Sequence, residues 1–125
     1  MSMTYRKSDY VFLLLSGLWG LVGVALLAAG AHADPRLGSA GLMLLFHAVA
    51  AIALIHTAFM GPRMRLNVSL CLLIGAGVFA ADICSRVMRG QGLLPNLAPT
   101  GGVLVMLGWA GVSIAAALKL TEKKA

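Results

Sequence analysis

Residues 67–87 read NVSLCLLIGAGVFAADICSRV. The stretch holds one acid, Asp82, and one base, Arg86, both in its last six residues. About 20 predominantly apolar residues are what an α-helix needs to cross the roughly 30 Å hydrocarbon core of a bilayer. A soluble helix of this length would show a polar face, and this one has too few polar residues to make one. The stretch is read as a transmembrane helix.

Working outward, three more runs have the same character: Tyr10–Ala31, Gly41–Met60 and Gly101–Leu118. The whole chain of 125 residues is 60% hydrophobic and 11% charged, with a mean hydropathy of +0.92. A soluble domain carries about 25% charged residues, so this chain has too few charges to coat a water-facing surface. Soluble, disordered and coiled-coil classes are thereby excluded. Backbone groups inside lipid need an intrahelical or closed-barrel partner, and these runs have helix length, not strand length. The joints are short. His32-Ala33-Asp34-Pro35-Arg36 is read as a loop in which Pro35 stops a helix, Gly61-Pro62-Arg63-Met64-Arg65 as a tight turn, and Arg89 to Pro99 as the longest connection. Short joints force neighbours antiparallel, so the expected architecture is an all-α, single-domain, up-down four-helix bundle.

Arg6, Lys7, Arg63, Arg65, Lys119, Lys123 and Lys124 fall on one side of such a bundle, and Arg36, Arg86 and Arg89 on the other. Seven against three predicts both termini in the cytoplasm. The net charge of +6 sits at the ends of apolar runs, where it fits anionic lipid headgroups. No basic run is interleaved with aromatics, so nucleic acid is not an expected partner. Ala31-His32-Ala33 resembles a signal-peptidase site, but the 22-residue run before it exceeds a usual signal core and is read as a retained helix. Cys71 and Cys84 lie thirteen residues apart in one helix, roughly 20 Å, too far for a disulfide. No Cys/His metal spacing is present, and no metal or other cofactor is expected.

Small residues recur along the spans: Gly17, Gly20 and Gly23 in the first, Gly77, Ala81 and Ser85 in the third, Gly108, Gly111 and Ala115 in the fourth. In lipid they allow close backbone approach, within the bundle or towards a partner. Trp19 and Trp109 fall near mid-span and are read as packing residues, not as an interfacial belt. The polar residues within the spans are the candidates for function. Asp82, fifteen residues from Asn67, is expected in the outer third, with Arg86 as its i+4 partner. The pair either fixes the helix end or forms a proton, ion or partner site. His47, six residues into the second run, is expected roughly 9 Å deep on the same side. His32 closes the first run. His32, His47, Asp82 and Arg86 are therefore expected to be able to converge on one outer-facing polar pocket, in which imidazole could exchange protons near neutral pH. A histidine bonded to a neighbouring helix for packing alone is the competing reading. Haem ligation would need His32 and His47 to face one gap, and His32 sits at a helix end. No HExxH, GxSxG, Walker loop or GxGxxG motif occurs, so no enzyme class is indicated.

Gly30-Ala31-His32 closing the first helix, His47-Ala48 in the second, Pro99-Thr100-Gly101-Gly102 opening the fourth and Gly108-Trp109 after it follow in an order and spacing that resemble the domain-of-unknown-function-423 family of small bacterial inner-membrane proteins. The resemblance covers about residues 13–118. It implies four transmembrane helices and an inner-membrane location, and no assigned activity. Where that family carries a Phe-Ser-Gly-Ser-Leu-Tyr type motif, this chain has Phe79-Ala80-Ala81-Asp82-Ile83-Cys84, keeping only the Phe. The expected function is a non-enzymatic accessory or structural component of a membrane assembly, or a homo-oligomer. The alternatives are a small oligomeric transporter or channel using the His47/Asp82 region, and a lipid-binding component.

Overall fold

In the computed structural model, which describes residues 4–123, the chain forms α1 (Lys7–His32), α2 (Pro35–Ile55), α3 (Pro62–Arg89) and α4 (Leu97–Thr121). Each is long and apolar enough to cross a membrane, and the fold is that of an all-helical, multi-pass membrane protein. The helices alternate in direction, so both termini lie at one end of the bundle (the terminal end) and the α3–α4 loop lies at the opposite, far end. Lys124, counted above with the terminal-end charges, lies outside the described residues.

The second helix departs most from the sequence reading. The expected run was 41–60, and α2 spans Pro35–Ile55. Pro35 does not stop a helix; it starts one. Its fixed φ and missing N–H suit the first helical position. Asp34 caps it, with Oδ1 accepting from the Arg36 backbone N–H at 2.9 Å. The Arg36 guanidinium donates back to the Asp34 carboxylate at 2.7 Å. That side-chain bond, with the backbone bond, holds the Asp34 carboxyl below the usual carboxylate range. The cap's contribution is therefore complete above the ordinary aspartate pKa and is lost as pH falls through the lowered value. At its other end α2 stops at Ile55, although the chain stays apolar to Met60. Met60 is 5% exposed and Phe59 packs on the core, so these residues fold back into the protein instead of continuing the span. Pro62 starts α3 five residues before Asn67, and Gly90, at φ 74°, ends it in the left-handed conformation that glycine adopts without strain.

The helices form two hairpins, α1 with α2 and α3 with α4, joined by α2 against α3. α2 and α3 make the centre: 44% and 50% of their apolar stretches are buried, against 17% for α1 and for α4. Each hairpin closes over a glycine pair. A methyl group built on Gly75 would stand 2.7 Å from the Gly101 carbonyl oxygen, and one on Gly101 would stand 2.7 Å from that of Gly75. Gly23 and Gly41 hold the same reciprocal relation between α1 and α2, at 2.9 and 2.5 Å, and Gly30 abuts the Gly38 backbone. Among the small residues singled out above, Gly23, Gly77, Gly108 and Gly111 do receive a neighbour. Trp19 seats on Gly77, Leu72 on Gly108 and Val68 on Gly111. Gly17 and Gly20 do not: neither would meet an atom within 4 Å. Gly17 and Ala81 are exposed, while Gly20 is half-buried beside the buried stripe of α1, which runs through Phe12, Ser16 and Gly23; that of α3 runs through Ala76, Ala80 and Asp82.

The prediction is asymmetric. Gly75→Ala is expected to destabilise the bundle by about 1–3 kcal/mol through overpacking against backbone. Gly17→Ala is expected to leave stability unchanged or raise it by about 0.5–1 kcal/mol through helix propensity. Unfolding titrations of both variants in mild detergent check the contrast.

Candidate functional site

The polar residues inside the bundle fall at three levels. At the far end, Asp82 lies seven residues before the end of α3, roughly 10 Å along its axis. Its side chain is 0% exposed. Oδ2 accepts from Arg86 Nε at 2.9 Å, and Oδ1 accepts from the Leu93 backbone N–H at 2.8 Å. One turn on, Ser85 donates to the Gln91 carbonyl at 2.8 Å and accepts from Arg89 Nη2 at 2.8 Å. The last turns of α3 thus fasten the loop that follows them. Gly92 completes the fit, since a methyl group there would lie 2.6 Å from Asp82 Oδ1 and 2.9 Å from Arg86 Nη2. A carboxylate in this setting is a clasp. One oxygen is neutralised by a cation and the other ties down a loop N–H that would otherwise lack a partner.

At mid-depth, His47 is 7% exposed and bonded on both ring nitrogens. Trp109 Nε1 lies 3.1 Å from His47 Nε2, and His47 Nδ1 lies 2.6 Å from the Met43 carbonyl oxygen. An indole N–H only donates, so Nε2 is the acceptor and Nδ1 carries the proton that it donates to Met43. The ring is neutral and saturated in this arrangement, and it is the link by which α4 reaches α2. Trp19 does the same between α1 and α3. Its Nε1 donates to the Leu73 carbonyl at 2.8 Å. Both tryptophans therefore act in packing, as their mid-span positions suggested.

At the terminal end, Asp9 is 6% exposed and accepts from the Arg6 backbone N–H at 2.8 Å. Arg65 stands 3.9 Å from it and reaches the Ile55 and Thr57 carbonyls, at 3.4 and 3.3 Å, at the end of α2. Tyr5 Oη and His56 Nδ1 are 3.0 Å apart beside them.

The expected convergence of His32, His47, Asp82 and Arg86 does not occur. Asp82 and Arg86 meet. His32 is exposed at the end of α1, and His47 bonds to Met43 and Trp109 instead. The physical reason is the position of α2. Its start at Pro35, six residues earlier than Gly41, puts His47 twelve residues below the far end, roughly 18 Å deep. Trp109 is also twelve residues into α4 and meets it at that level. Reading Pro35 as a first helical residue, with Asp34 as cap, would have matched these two depths from the sequence. The Asp9–Arg65 contact had no such signal, since it joins two helices more than 50 residues apart. Among the described residues no group of His, Cys, Asp and Glu is arranged to hold a metal ion, and Cys71 and Cys84 are free and half-buried.

No family model, no curated protein and no solved structure matches the chain. The resemblance drawn above therefore rests on its motifs, and these fall on the contacts just described: Gly30 on Gly38, His47 on Trp109, Gly101 on Gly75 and Gly108 on Leu72. The class that fold and site define is a multi-pass four-helix membrane protein whose Asp82, His47, Trp19 and Trp109 side chains are tied into its own structure, while the buried hydroxyls of Ser16 and Ser69 have no partner among the described residues.

The clasp predicts an order of effects. Arg86→Ala leaves the buried carboxylate without its half-exposed cation and is expected to cost the most. Asp82→Ala strands one loop N–H and is expected to cost about 1–3 kcal/mol. Asp82→Asn keeps an acceptor for Leu93 and is expected to be mildest. Thermal unfolding in detergent reads the order, and protease nicking at residues 90–96 should rise in parallel. For the mid-depth contact, a double-mutant cycle of His47→Ala and Trp109→Phe is expected to give a coupling of about 1 kcal/mol.

Proposed function

We propose that the protein is a non-catalytic accessory subunit of a larger assembly in a bacterial inner membrane, with both termini in the cytoplasm, and that it belongs with the domain-of-unknown-function-423 proteins its motifs resemble. The observation that carries this reading is the outer face of α1. Gly17 is exposed and Gly20, one turn on, is half-buried, neither with a neighbour seated against it, on a helix only 17% of whose apolar stretch is buried. Hydrophobic burial does not drive helices together in lipid, and small residues that admit a second backbone do. Inside the bundle the Gly23–Gly41 and Gly75–Gly101 pairs are used in this way; Gly17 and Gly20 on α1 are left without a neighbour, and a methyl group on Gly38 or Gly102 would likewise meet none. The intramembrane polar groups support the reading from the other side, since Asp82 and His47 are consumed by the clasp and the Trp109 bond. The transporter alternative asked those two groups to share a pocket, and the geometry gives it no support. The seven-to-three distribution of Lys and Arg supports the cytoplasmic placement of the termini.

A photo-reactive residue at Leu21, in cells extracted with mild detergent, is expected to crosslink to a partner and give an adduct well above the 13.0 kDa chain. Gly17→Leu/Gly20→Leu is expected to abolish the adduct while leaving the thermal unfolding midpoint unchanged. Recovery of a single monodisperse species with no adduct from any outer-face position would overturn the reading. A reporter fused after Ala125 is expected to be active only in the cytoplasm, and periplasmic activity would reverse the orientation.

A further inference from the structure

A cavity of about 100 Å³ opens at the terminal end, between the first turns of α1 and α3. Three guanidinium-bearing residues line it, Arg6, Arg63 and Arg65, against one carboxylate, Asp9. Asp9 is already engaged by the Arg6 backbone N–H and stands beside Arg65. Among the described residues the Arg6 and Arg63 side chains have no hydrogen-bond partner. The first turns of α1 and α3 flank it, and helix first turns carry N–H groups that lack intrahelical acceptors. The wall also includes Ser69, two turns into α3. Its side chain is 1% exposed, and its hydroxyl is buried with no partner. A buried hydroxyl without a partner is costly in a native structure and calls for an acceptor or donor from outside the chain. Phe12, Ile55 and Leu66 make the rest of the lining apolar on the membrane side.

We propose that this cavity binds a phosphate group, held by Arg6 and Arg63, with Arg65 as a fixed positive charge and the Ser69 hydroxyl as a donor. Arginine forks match phosphate oxygens, and helix N-termini favour anions. The level of the site, at the first turns of two membrane helices with apolar side chains just below, favours the phosphate of an anionic phospholipid headgroup over free phosphate. The inference does not depend on the accessory-subunit reading, because it concerns the first turns of α1 and α3 and uses neither Gly17 nor Gly20.

The test uses the full chain in detergent, with phosphatidylglycerol, phosphatidylcholine and inorganic phosphate as separate probes. Lipid retention is read by native mass spectrometry, and stabilisation by the shift in unfolding midpoint. Wild type is expected to retain one phosphatidylglycerol in preference to phosphatidylcholine. Arg6→Gln/Arg63→Gln is expected to weaken that retention by at least about tenfold. Lys119→Gln/Lys123→Gln, which removes the same charge at the same end outside the cavity, is expected to leave it unchanged. Ser69→Ala is the variant that separates binding from folding. Without lipid it should unfold at the wild-type temperature or above, because an unpaired hydroxyl is removed, yet its retention should fall by about tenfold. Stabilisation by inorganic phosphate with no preference among lipids would confirm the phosphate site and assign it to the free anion. Equal retention by wild type and the arginine double variant, or an equal loss in the lysine control, would overturn the proposal.

Discussion

The approach of α3 to α4 across Gly75 and Gly101, repeated between α1 and α2 across Gly23 and Gly41, is the constraint on which the bundle depends. In hydrocarbon, side chains gain nothing by leaving lipid for protein, so helices are held by dispersion at short range and by polar bonds. Glycine at the crossing lets one backbone touch another. The two hairpins are each closed in this manner, and the larger side chains that would otherwise fill the crossing are set to one side, as Leu72 and Val68 are against Gly108 and Gly111.

Polar groups complete the assembly with direction that dispersion lacks. Each lies where two elements must be registered. Trp19 pins α1 to the Leu73 carbonyl of α3, and the His47–Trp109 bond pins α4 to α2, helices that have no direct backbone approach to one another. Asp82 fixes the α3–α4 loop to the end of α3. An intramembrane acid or histidine is a natural suspect for transport or catalysis. Both carboxylate oxygens of Asp82 and both ring nitrogens of His47 are already bonded within the chain, so a proton-carrying role would have to break the contacts that hold the fold.

The two ends of the molecule differ in kind. The far end is closed, with its loop drawn over the buried Asp82 carboxylate and a glycine fitted against it. The terminal end is basic and hollow, with more cationic than anionic side chains around a polar cavity and an unpaired hydroxyl in its wall. That difference follows the charge asymmetry of the sequence, and it places the chemistry available to outside molecules on the side of the termini.

The sequence alone determined the class and the number of helices, because a run of about 20 apolar residues has one stable form in a bilayer. It also determined the Asp82–Arg86 pair, since i and i+4 share a helix face whatever the tertiary structure does. It misplaced α2, because Pro35 and Asp34 were read as the end of one helix when they form the start of the next, and because Phe59 and Met60 are apolar for the core and not for the span. That error of six residues moved His47 by more than a helical turn and brought it falsely level with Asp82. Which glycines meet a neighbour and which face outward, and that Ser69 and Asp9 share a cavity with Arg65, only the tertiary structure decided. Rotation of a helix about its axis is set by contacts between helices distant in the chain, and an apolar sequence surrounded by apolar solvent carries little pattern from which that rotation can be read.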